Sequence, residues 1–253
     1  MMKFKYLNSA IMFLAISFLP LSTATADDYD DLIKAAVDNP ARAEKNSVRD
    51  DLRKPGEVIK FMGVAPGMTV LDMVSNGGYY AEILAGVVGD EGRVIAHSFS
   101  NSGMDPDNAY AKYIRESAHM SNVVPIYAGF NDLDLKENTL DRVFLIQNFH
   151  DFYFDRFAVD VPRILAMYRK TLKPGGIMAV IDHQAEAGAP STTGTTLHRI
   201  DPEIVKRDML AAGFILDGQS TILINDTDDK TKLVFDPSVR GKTSRFILRF
   251  KNP

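Results

Sequence analysis

The chain has 253 residues, of which 45% are hydrophobic and 25% charged, as in an ordinary globular protein. Its formal net charge of −4 at pH 7 argues against a general affinity for nucleic acids or anionic membranes. The absence of cysteine excludes disulfide bonds, thiolate metal ligands and a thiol nucleophile.

The first 26 residues have the pattern of a secretory signal peptide. Lys3 and Lys5 precede an apolar run, and small residues at 24–26 come directly before the acidic stretch DDYDD. This order predicts cleavage after Ala26 and a periplasmic or secreted mature protein, with an uncleaved anchor as the alternative. The apolar run is short for a bilayer, so we expect no membrane span after cleavage.

Residues 27–55 predict an N-terminal helical extension, and residues 56–253 predict one domain in which strands and helices alternate. The predicted strands of that domain are 69–73, 93–98, 123–128, 141–148 and 176–182. The predicted helices are 78–88, 108–120, 157–172 and 202–213, and the glycines of KPGG after the third helix predict its C-cap. Two last strands, 214–223 and 244–250, have no helix between them, which predicts an antiparallel hairpin.

The predicted strands are nearly continuous apolar runs, as expected for strands buried on both faces of a parallel sheet. Their alternation with helices predicts a doubly wound α/β fold with a mostly parallel seven-stranded sheet and a C-terminal antiparallel hairpin. In such folds ligands bind beyond the carboxyl ends of the strands, near the point where the strand order reverses. This rule selects residues 72–78, 98, 129–132, 148–151 and 182–184.

Four segments resemble a known family: VLDMVSNGGYYAEIL, TLDRVFLIQNFHD, LKPGGIMAVIDH and MLAAGF. They look like the class I S-adenosylmethionine-dependent methyltransferases, from about Gly56 to Phe250. More narrowly, the segments NFHD, TLHRID and FDPSVRGKT resemble a branch of predicted, often exported, bacterial methyltransferases. The resemblance implies a Rossmann-like methyltransferase fold, S-adenosylmethionine as the cofactor and a small-molecule substrate.

The glycine loop of that family has an acid followed by three glycines at alternate positions. Asp72 matches the acid and Gly78 the last glycine, whereas Val74 and Asn76 occupy the two earlier glycine positions. Gly77 is a nearby substitute. Asn tolerates a left-handed backbone, so Asn76 can keep the turn, but Val74 adds a branched side chain where close approach is wanted.

Two further strand ends depart from the family pattern. Ser98 stands where the family usually has an acid that binds the ribose, and Gly129 stands where an acid commonly reaches the adenine, with Asp132 close by. Asn148, at the end of the fourth predicted strand, is a further candidate contact. The resemblance therefore implies a cofactor site with weakened or lost affinity.

Three of the five histidines fall at predicted site positions, namely His150, His183 and His198. An imidazole can take a proton from a substrate hydroxyl or amine, and a neighbouring carboxylate would orient the ring. We therefore expect His150, His183 and Asp151 to be catalytic, while His97 and His119 are expected to be structural or at the surface.

A metal site is the alternative interpretation of the same residues. Imidazoles and a carboxylate from His150, His183, His198 and Asp182 form a zinc-like or iron-like set, although their spacing is not a local metal motif. A purely structural role for each histidine also stays open. The long polar loop at residues 185–196 is predicted to be a lid over the pocket.

Two functions follow from these patterns. The first is an exported methyltransferase that acts on a small molecule. The second is a periplasmic ligand-binding or metal-binding protein, or a non-methylating enzyme, that reuses the fold with a degenerate cofactor loop. Substrate identity and oligomeric state do not follow from the sequence.

Overall fold

The structure, a computed structural model, describes residues 26–99 and 109–253. The predicted signal peptide, apart from Ala26, lies outside the described residues, as does the first residue of the predicted helix 108–120. Within the described residues, no helix is long and apolar enough to cross a membrane.

The N-terminal extension is helical and leads into the main domain. Its helices in the described residues are α1 (Ala26–Val37), α2 (Glu44–Ser47) and α3 (Asp50–Arg53), and α4 (Pro55–Met62) begins at its last residue and continues into the main domain. Helix α4 begins at Pro55, whose fixed φ suits a first turn, and ends at Gly63 with a left-handed φ of 61°. Helix α1 packs on α4 and on α5 (Tyr79–Val88), so the extension lies against the main domain.

Seven strands in the described residues form one sheet. They are β1 (Thr69–Met73), β2 (Arg93–Ser98), β3 (Val123–Tyr127), β4 (Leu140–Ile146), β5 (Leu172–His183), β6 (Ile215–Ser220) and β7 (Arg245–Lys251). The order across the sheet is β3-β2-β1-β4-β5-β7-β6. Strands β1 to β5 are parallel, and β7 runs antiparallel between β5 and β6. The predicted doubly wound sheet with a C-terminal antiparallel hairpin is confirmed.

Helices cover both faces of the sheet. The remaining helices are α6 (Ala109–Glu116), α7 (Val161–Thr171), α8 (Thr193–Leu197) and α9 (Pro202–Ala211). One buried cluster joins α1, α4 and α5 to the sheet, and a second joins α7 and α9 to it. The strand order reverses between β1 and β4, so the loops after these two strands meet at one edge of the sheet.

The segment predicted as one helix over 157–172 is organised differently. Two short 3-10 turns occupy residues 150–153 and 155–157, and α7 begins only at Val161, where the Asp160 side chain accepts the N–H of Arg163. The predicted glycine C-cap is wrong, because KPGG lies inside β5. The side chain of Asn252 instead donates to the carbonyls of Arg169 and Leu172 at the end of the helix.

The predicted lid at residues 185–196 is also wrong. The segment contains α8 and packs on the turn at His150, where a Cβ on Gly194 would lie 2.6 Å from the His150 carbonyl oxygen. This close packing holds the segment behind His150, and residues 185–197 do not line the cavity described below. Val234 and Phe235, which lie much later in the chain, contribute to the wall of that cavity.

Candidate functional site

A cavity of about 1140 Å³ lies at the carboxyl ends of β1, β4 and β5. It brings together most of the residues that the sequence selected: Asp72, Val74, Asn76, Gly77, Asp132, Asn148, His150, Asp151, His183 and His198. Three of the residues proposed above as cofactor, catalytic or metal contacts are not in its lining, namely Gly78, Ser98 and Asp182. Ser98 and Asp182 are fully buried.

The glycine loop keeps its shape without its glycines. Val74 has a φ of 53°, Asn76 of 42° and Gly78 of 78°, so three alternate positions are left-handed. A Cβ on Gly78 would lie 2.7 Å from the Tyr110 ring, whereas one on Gly77 would have no heavy atom within 4 Å. A left-handed conformation is rare for a β-branched residue and costs roughly 1–2 kcal/mol.

The Val74 side chain is largely withdrawn from the cavity. It is 6% exposed and belongs to the same buried cluster as Leu71, Met73 and Phe130, although it still forms part of the cavity wall. Burying a valine stabilises a protein by about 1.5–3 kcal/mol, which is comparable to the strain of its backbone. Because the Val74 side chain packs into this buried cluster, it does not fill the cavity in front of the loop.

His97 holds this loop from below. Its Nδ1 accepts the N–H of Val74 at 3.2 Å, its Nε2 donates to the carbonyl of Ala128 at 3.1 Å, and its own carbonyl accepts the N–H of Ser75 at 2.8 Å. Burial lowers the pKa of His97 to about 4, so the ring is neutral and Nδ1 can act as an acceptor. The sequence carries no local signal for this role, because the partners come from the ends of two other strands, β1 and β3.

Asp72 is a buried acid at the start of the loop. Burial raises its pKa to about 7, although the hydroxyl of Ser75 donates to Oδ2 at 2.7 Å and Arg53 also favours the charged form. An aspartate whose charge is only partly compensated would be stabilised by a ligand that offers it hydrogen-bond donors. Asp72 therefore behaves as part of a binding site rather than of a closed core.

The N-terminal extension contributes to the same cavity, which the sequence did not indicate. Lys45, Arg49 and Arg53 line it, and Asn46 donates to the carbonyl of Gly77 at 3.2 Å. The side chain of Tyr79 in turn donates to Asp50 at 2.6 Å. The extension is thus attached directly to the glycine loop and to the first turn of α5.

His150 is held firmly by Asp182. The Asp182 carboxylate accepts the backbone N–H of His150 at 2.8 Å through Oδ2 and pairs with the ring Nδ1 at 2.8 Å through Oδ1. Burial lowers the pKa of His150, but Asp182 outweighs it and the pKa lies above the usual value, while the pKa of Asp182 is held below its own. Because Nδ1 is engaged by Asp182, Nε2 is the ring nitrogen that meets the other neighbours of His150.

Two further residues meet His150 at Nε2. Nδ1 of His198 lies 3.1 Å away, and Oδ1 of Asp151 lies 3.5 Å away. Asn148 donates to the other oxygen of Asp151 at 2.8 Å, and burial raises the Asp151 pKa. One ligand atom from each of His150, Asp151 and His198 lies within 4.8 Å of the others, which is close enough for a metal ion.

The metal set that the sequence suggested differs from this one. Asp182 stands behind His150 and binds it, rather than facing the same point. His183 lies 6.3 Å from His150 between ring centres, its Nδ1 is bonded to Thr243 at 2.7 Å, and burial lowers its pKa to about 3. In the structure the candidate metal ligands are therefore His150, Asp151 and His198, without His183 and Asp182. The sequence places Asp151 next to His150 but does not show which way its side chain points.

An aromatic wall adjoins the histidines. Phe99 stacks on Phe157 with ring centres 5.2 Å apart and meets Phe130 edge-on at 4.7 Å. His198 lies between Phe154 and Phe235, at 5.3 Å and 5.0 Å. Phe235 is 54% exposed at the cavity, which is unusual for a large apolar side chain.

A buried ion pair positions this wall, and the sequence analysis missed it. Arg199 is fully buried and binds both carboxylate oxygens of Asp228, at 2.8 and 3.0 Å. It also donates to the carbonyls of Lys232 and Gln184, at 2.7 and 3.0 Å. The pair therefore ties the segment that carries Val234 and Phe235 to the end of β5.

The strand order, together with the left-handed loop after β1 and the cavity above it, matches the class I methyltransferase fold. Residues 71–180 match a family model described as a methyltransferase domain. The crystal structure of an S-adenosylmethionine-dependent methyltransferase from Aquifex aeolicus is 22% identical, with a TM-score of 0.59 over 88% of this chain and 98% of that one. The chain therefore has the fold of the class I methyltransferases, and residues 71–180 of it resemble a methyltransferase domain.

Two other proteins are similar to about half or more of this chain. The 2-phytyl-1,4-naphtoquinone methyltransferase of Trichormus variabilis is 32% identical over 124 residues, which is 49% of this chain and 50% of the relative. The chain thus spans about half the length of the curated relatives it matches. The crystal structure of the cyclase SpnF is 17% identical, with a TM-score of 0.58 over 90% of this chain and 94% of that one.

Proposed function

We propose that the protein transfers a methyl group from S-adenosylmethionine to a small-molecule acceptor. The observation that carries the proposal is one cavity that contains both the loop after β1 and the His150–Asp182 pair. In a class I methyltransferase-like fold, the first would hold the donor and the second would face the acceptor. The matching family model and the curated relatives support the same reaction.

The loop fits the donor in spite of its sequence. Its left-handed backbone is retained at Val74 and Asn76, and there is open space beside Gly77. Asp72 and Asp132 offer carboxylates at the cavity wall, and Asn148 offers an amide. Bound S-adenosylmethionine supplies a methyl group on a positively charged sulfur, and S-adenosylhomocysteine remains after the transfer.

His150 is the residue that takes the proton of the acceptor. Asp182 holds Nδ1, so that Nε2 can accept a proton from a hydroxyl or amine that takes the place of His198 at this nitrogen. Asp151 lies next to that nitrogen and would stabilise the imidazolium that forms. His183 is held by Thr243 and shapes the floor beside His150.

The wall favours a flat, apolar acceptor with an ionisable hydroxyl group. Phe99, Phe157 and Phe235 provide apolar faces beside the histidines. The curated relatives are quinone methyltransferases by name, and a quinol has this combination of a flat ring and hydroxyl groups. A quinol or phenol is therefore the acceptor class that we propose.

Calorimetric titration of the purified protein with S-adenosylmethionine tests the donor. We expect a micromolar to submillimolar dissociation constant, and no binding at millimolar donor would refute the proposed function. Methyl-labelled donor with 1,4-naphthoquinol and substituted phenols then tests the acceptor class. If the protein binds the donor but transfers label to none of these compounds, the proposed acceptor class is wrong.

A second candidate function, metal binding, is favoured by the group His150, Asp151 and His198. Ligands in contact with one ion at ~2.1 Å lie about 3.0–3.4 Å apart, which is close to the observed 3.1 and 3.5 Å. Elemental analysis after incubation with zinc or iron(II), followed by desalting, tests it. The Asp151→Asn and His198→Gln variants should lose the metal, and a metal-free wild-type protein would exclude this candidate.

Export of the protein is supported by the sequence of residues 1–26, whose basic start, apolar run and small residues form a signal-peptide pattern. We expect a mature protein that begins at Asp27. N-terminal sequencing of the protein from its native cells tests this expectation, and an intact Met1 in a soluble fraction would contradict it.

A further inference from the structure

The N-terminal extension places two arginine side chains at the glycine loop. The guanidinium carbons of Arg49 and Arg53 lie 4.9 and 4.6 Å from the ring centre of Tyr79, the first residue of α5. A guanidinium that rests on an aromatic face keeps the N–H groups of its edge available to other partners. Both side chains line the cavity.

These arginines are only partly satisfied within the described part of the chain. Nε of Arg49 is buried without a hydrogen-bond partner there, and one Nη of Arg49 donates to Asn46 at 2.6 Å. Arg53 donates to the amide oxygen of Gln147 at 3.1 Å. The partners are neutral amides, so neither contact compensates a positive charge.

Two neighbouring carboxylates, those of Asp50 and Glu82, are engaged elsewhere, and burial raises the pKa of a third, Asp72, to about 7, so it compensates the charge of Arg53 only in part. Asp50 binds Arg42 through both oxygens, at 2.7 and 3.0 Å, and accepts the hydroxyl of Tyr79. Glu82 accepts hydrogen bonds from the backbone of Ala43 and from Asn46, at 2.9 and 2.8 Å. A third guanidinium, that of Arg245, is buried nearby and donates to the carbonyl of Leu52.

An excess of positive charge at a cavity wall calls for an anionic ligand group. The extension contacts the loop itself, since Asn46 donates to the carbonyl of Gly77 at 3.2 Å. The donor of the proposed function carries one anionic group, the carboxylate of its methionine part, which is the part that a glycine loop approaches. We propose that Arg49 and Arg53 form a subsite for this carboxylate.

This inference rests on the proposed function and adds a physical explanation to it. The loop has lost two glycines and the acid at Ser98, so donor affinity must come from other contacts. A planar guanidinium binds a carboxylate through two charge-assisted hydrogen bonds, which are about twice as strong as neutral ones. The extension thereby replaces affinity that the altered loop no longer supplies.

Calorimetry with two donors tests the subsite on the unmodified protein. S-adenosylmethionine and its decarboxylated form share the adenosine, the sulfonium and the amine and differ in the carboxylate. We expect the decarboxylated form to bind ~10- to 100-fold more weakly. Equal affinities within about twofold would overturn the subsite while the proposed function stands, whereas no binding of either donor refutes the function and the subsite together.

Two variants assign the discrimination to the arginines. Arg49→Met and Arg53→Met should each weaken S-adenosylmethionine ~10-fold or more and leave the decarboxylated donor within about twofold. The exposed Arg240 gives the matched control Arg240→Met, which should change neither affinity. Arg49→Lys and Arg53→Lys keep the charge but lose the planar fork and should give intermediate values. If Arg49→Met and Arg53→Met both keep the wild-type ratio of affinities for the two donors, the proposal is overturned.

Discussion

Asp182 holds His150 at two points, since one carboxylate oxygen accepts the backbone N–H and the other pairs with Nδ1, both at 2.8 Å. The two residues end neighbouring strands, because His150 follows β4 and Asp182 lies near the end of β5. The sheet thus fixes the position of the ring as well as which of its nitrogens faces the cavity.

The first prediction concerns this pair. In Asp182→Asn, the amide can donate to Nδ1 and move the ring proton to Nε2, so the base towards the cavity is lost. We expect the turnover of methyl transfer to fall ~10²- to 10⁴-fold, by analogy with aspartates that orient catalytic histidines. The dissociation constant of the donor should not change, which separates positioning of His150 from loss of the fold.

Label transfer under single-turnover conditions and calorimetry measure the two quantities. Thr243→Val is the control, because Thr243 binds the neighbouring His183 and not His150. An Asp182→Asn protein with unchanged turnover would contradict the assignment of His150 as the base.

The second prediction concerns the left-handed Val74. Val74→Ala removes buried methyl groups but keeps most of the strain, so we expect a loss of about 1–2 kcal/mol in the free energy of unfolding. Val74→Gly removes the strain as well and should be ~1 kcal/mol more stable than Val74→Ala. This is the reverse of the usual order of alanine and glycine.

Urea denaturation of both variants measures the difference. Val143, buried in β4, is the matched control, since glycine there should be less stable than alanine. The usual order at position 74 would contradict a strained backbone at Val74.

The third prediction is a dependence of stability on pH at Asp72. Burial raises its pKa to about 7 in the folded protein, whereas an unfolded aspartate titrates near ~3.9. Between these values the folded chain holds a proton that the unfolded chain has lost, so the stability that Asp72 contributes is present below pH ~4 and is lost as the pH rises to about 7.

Asp72→Asn should remove this dependence. Between pH 4.5 and 7.5 the free energy of unfolding decreases in the wild-type protein, and we expect this decrease to be ~2–4 kcal/mol smaller in the variant. Urea denaturation at several pH values measures it, with the exposed Asp90→Asn as control. Parallel pH profiles of Asp72→Asn and wild type would refute the prediction. The variant should also bind the donor more weakly.

The fourth prediction concerns the buried pair of Arg199 and Asp228. Arg199→Met leaves the Asp228 carboxylate buried without its partner, and we expect a loss of ~3–5 kcal/mol in the free energy of unfolding. Adding Asp228→Asn should recover part of this loss, because the buried charge is removed. Urea denaturation of the single and double variants measures the coupling, and additive effects would contradict the pairing.

Much of the fold could be predicted from local patterns. Continuous apolar runs at β1 to β5 determine buried parallel strands, because both of their faces must be covered. The end of α7 could not be predicted, because Asn252 caps it from more than 80 positions along the chain. The glycines that follow the helix in sequence suggested a C-cap there. The carbonyls at the helix end are instead bound by Asn252, a distant side chain that only the fold brings to them.

The candidate site divides in the same way. Strand ends after β1, β4 and β5 selected Asp72, His150 and His183, because the carboxyl ends of parallel strands meet at one edge of the sheet. The rule did not select the arginines of the extension or the Arg199–Asp228 pair, because none of these residues lies at the carboxyl end of a parallel strand. Their positions depend on how the extension and the segment before β7 pack on the domain.

By itself the sequence determined the doubly wound sheet and the edge at which its polar residues gather, since both follow from apolar runs and chain order. Only the tertiary structure decided which carboxylate orients His150, which one lies near its other ring nitrogen, and where the Val74 side chain goes. These outcomes depend on side-chain directions and on contacts between residues far apart in the chain. Such contacts leave no periodic pattern, so they appear only once the elements are packed together.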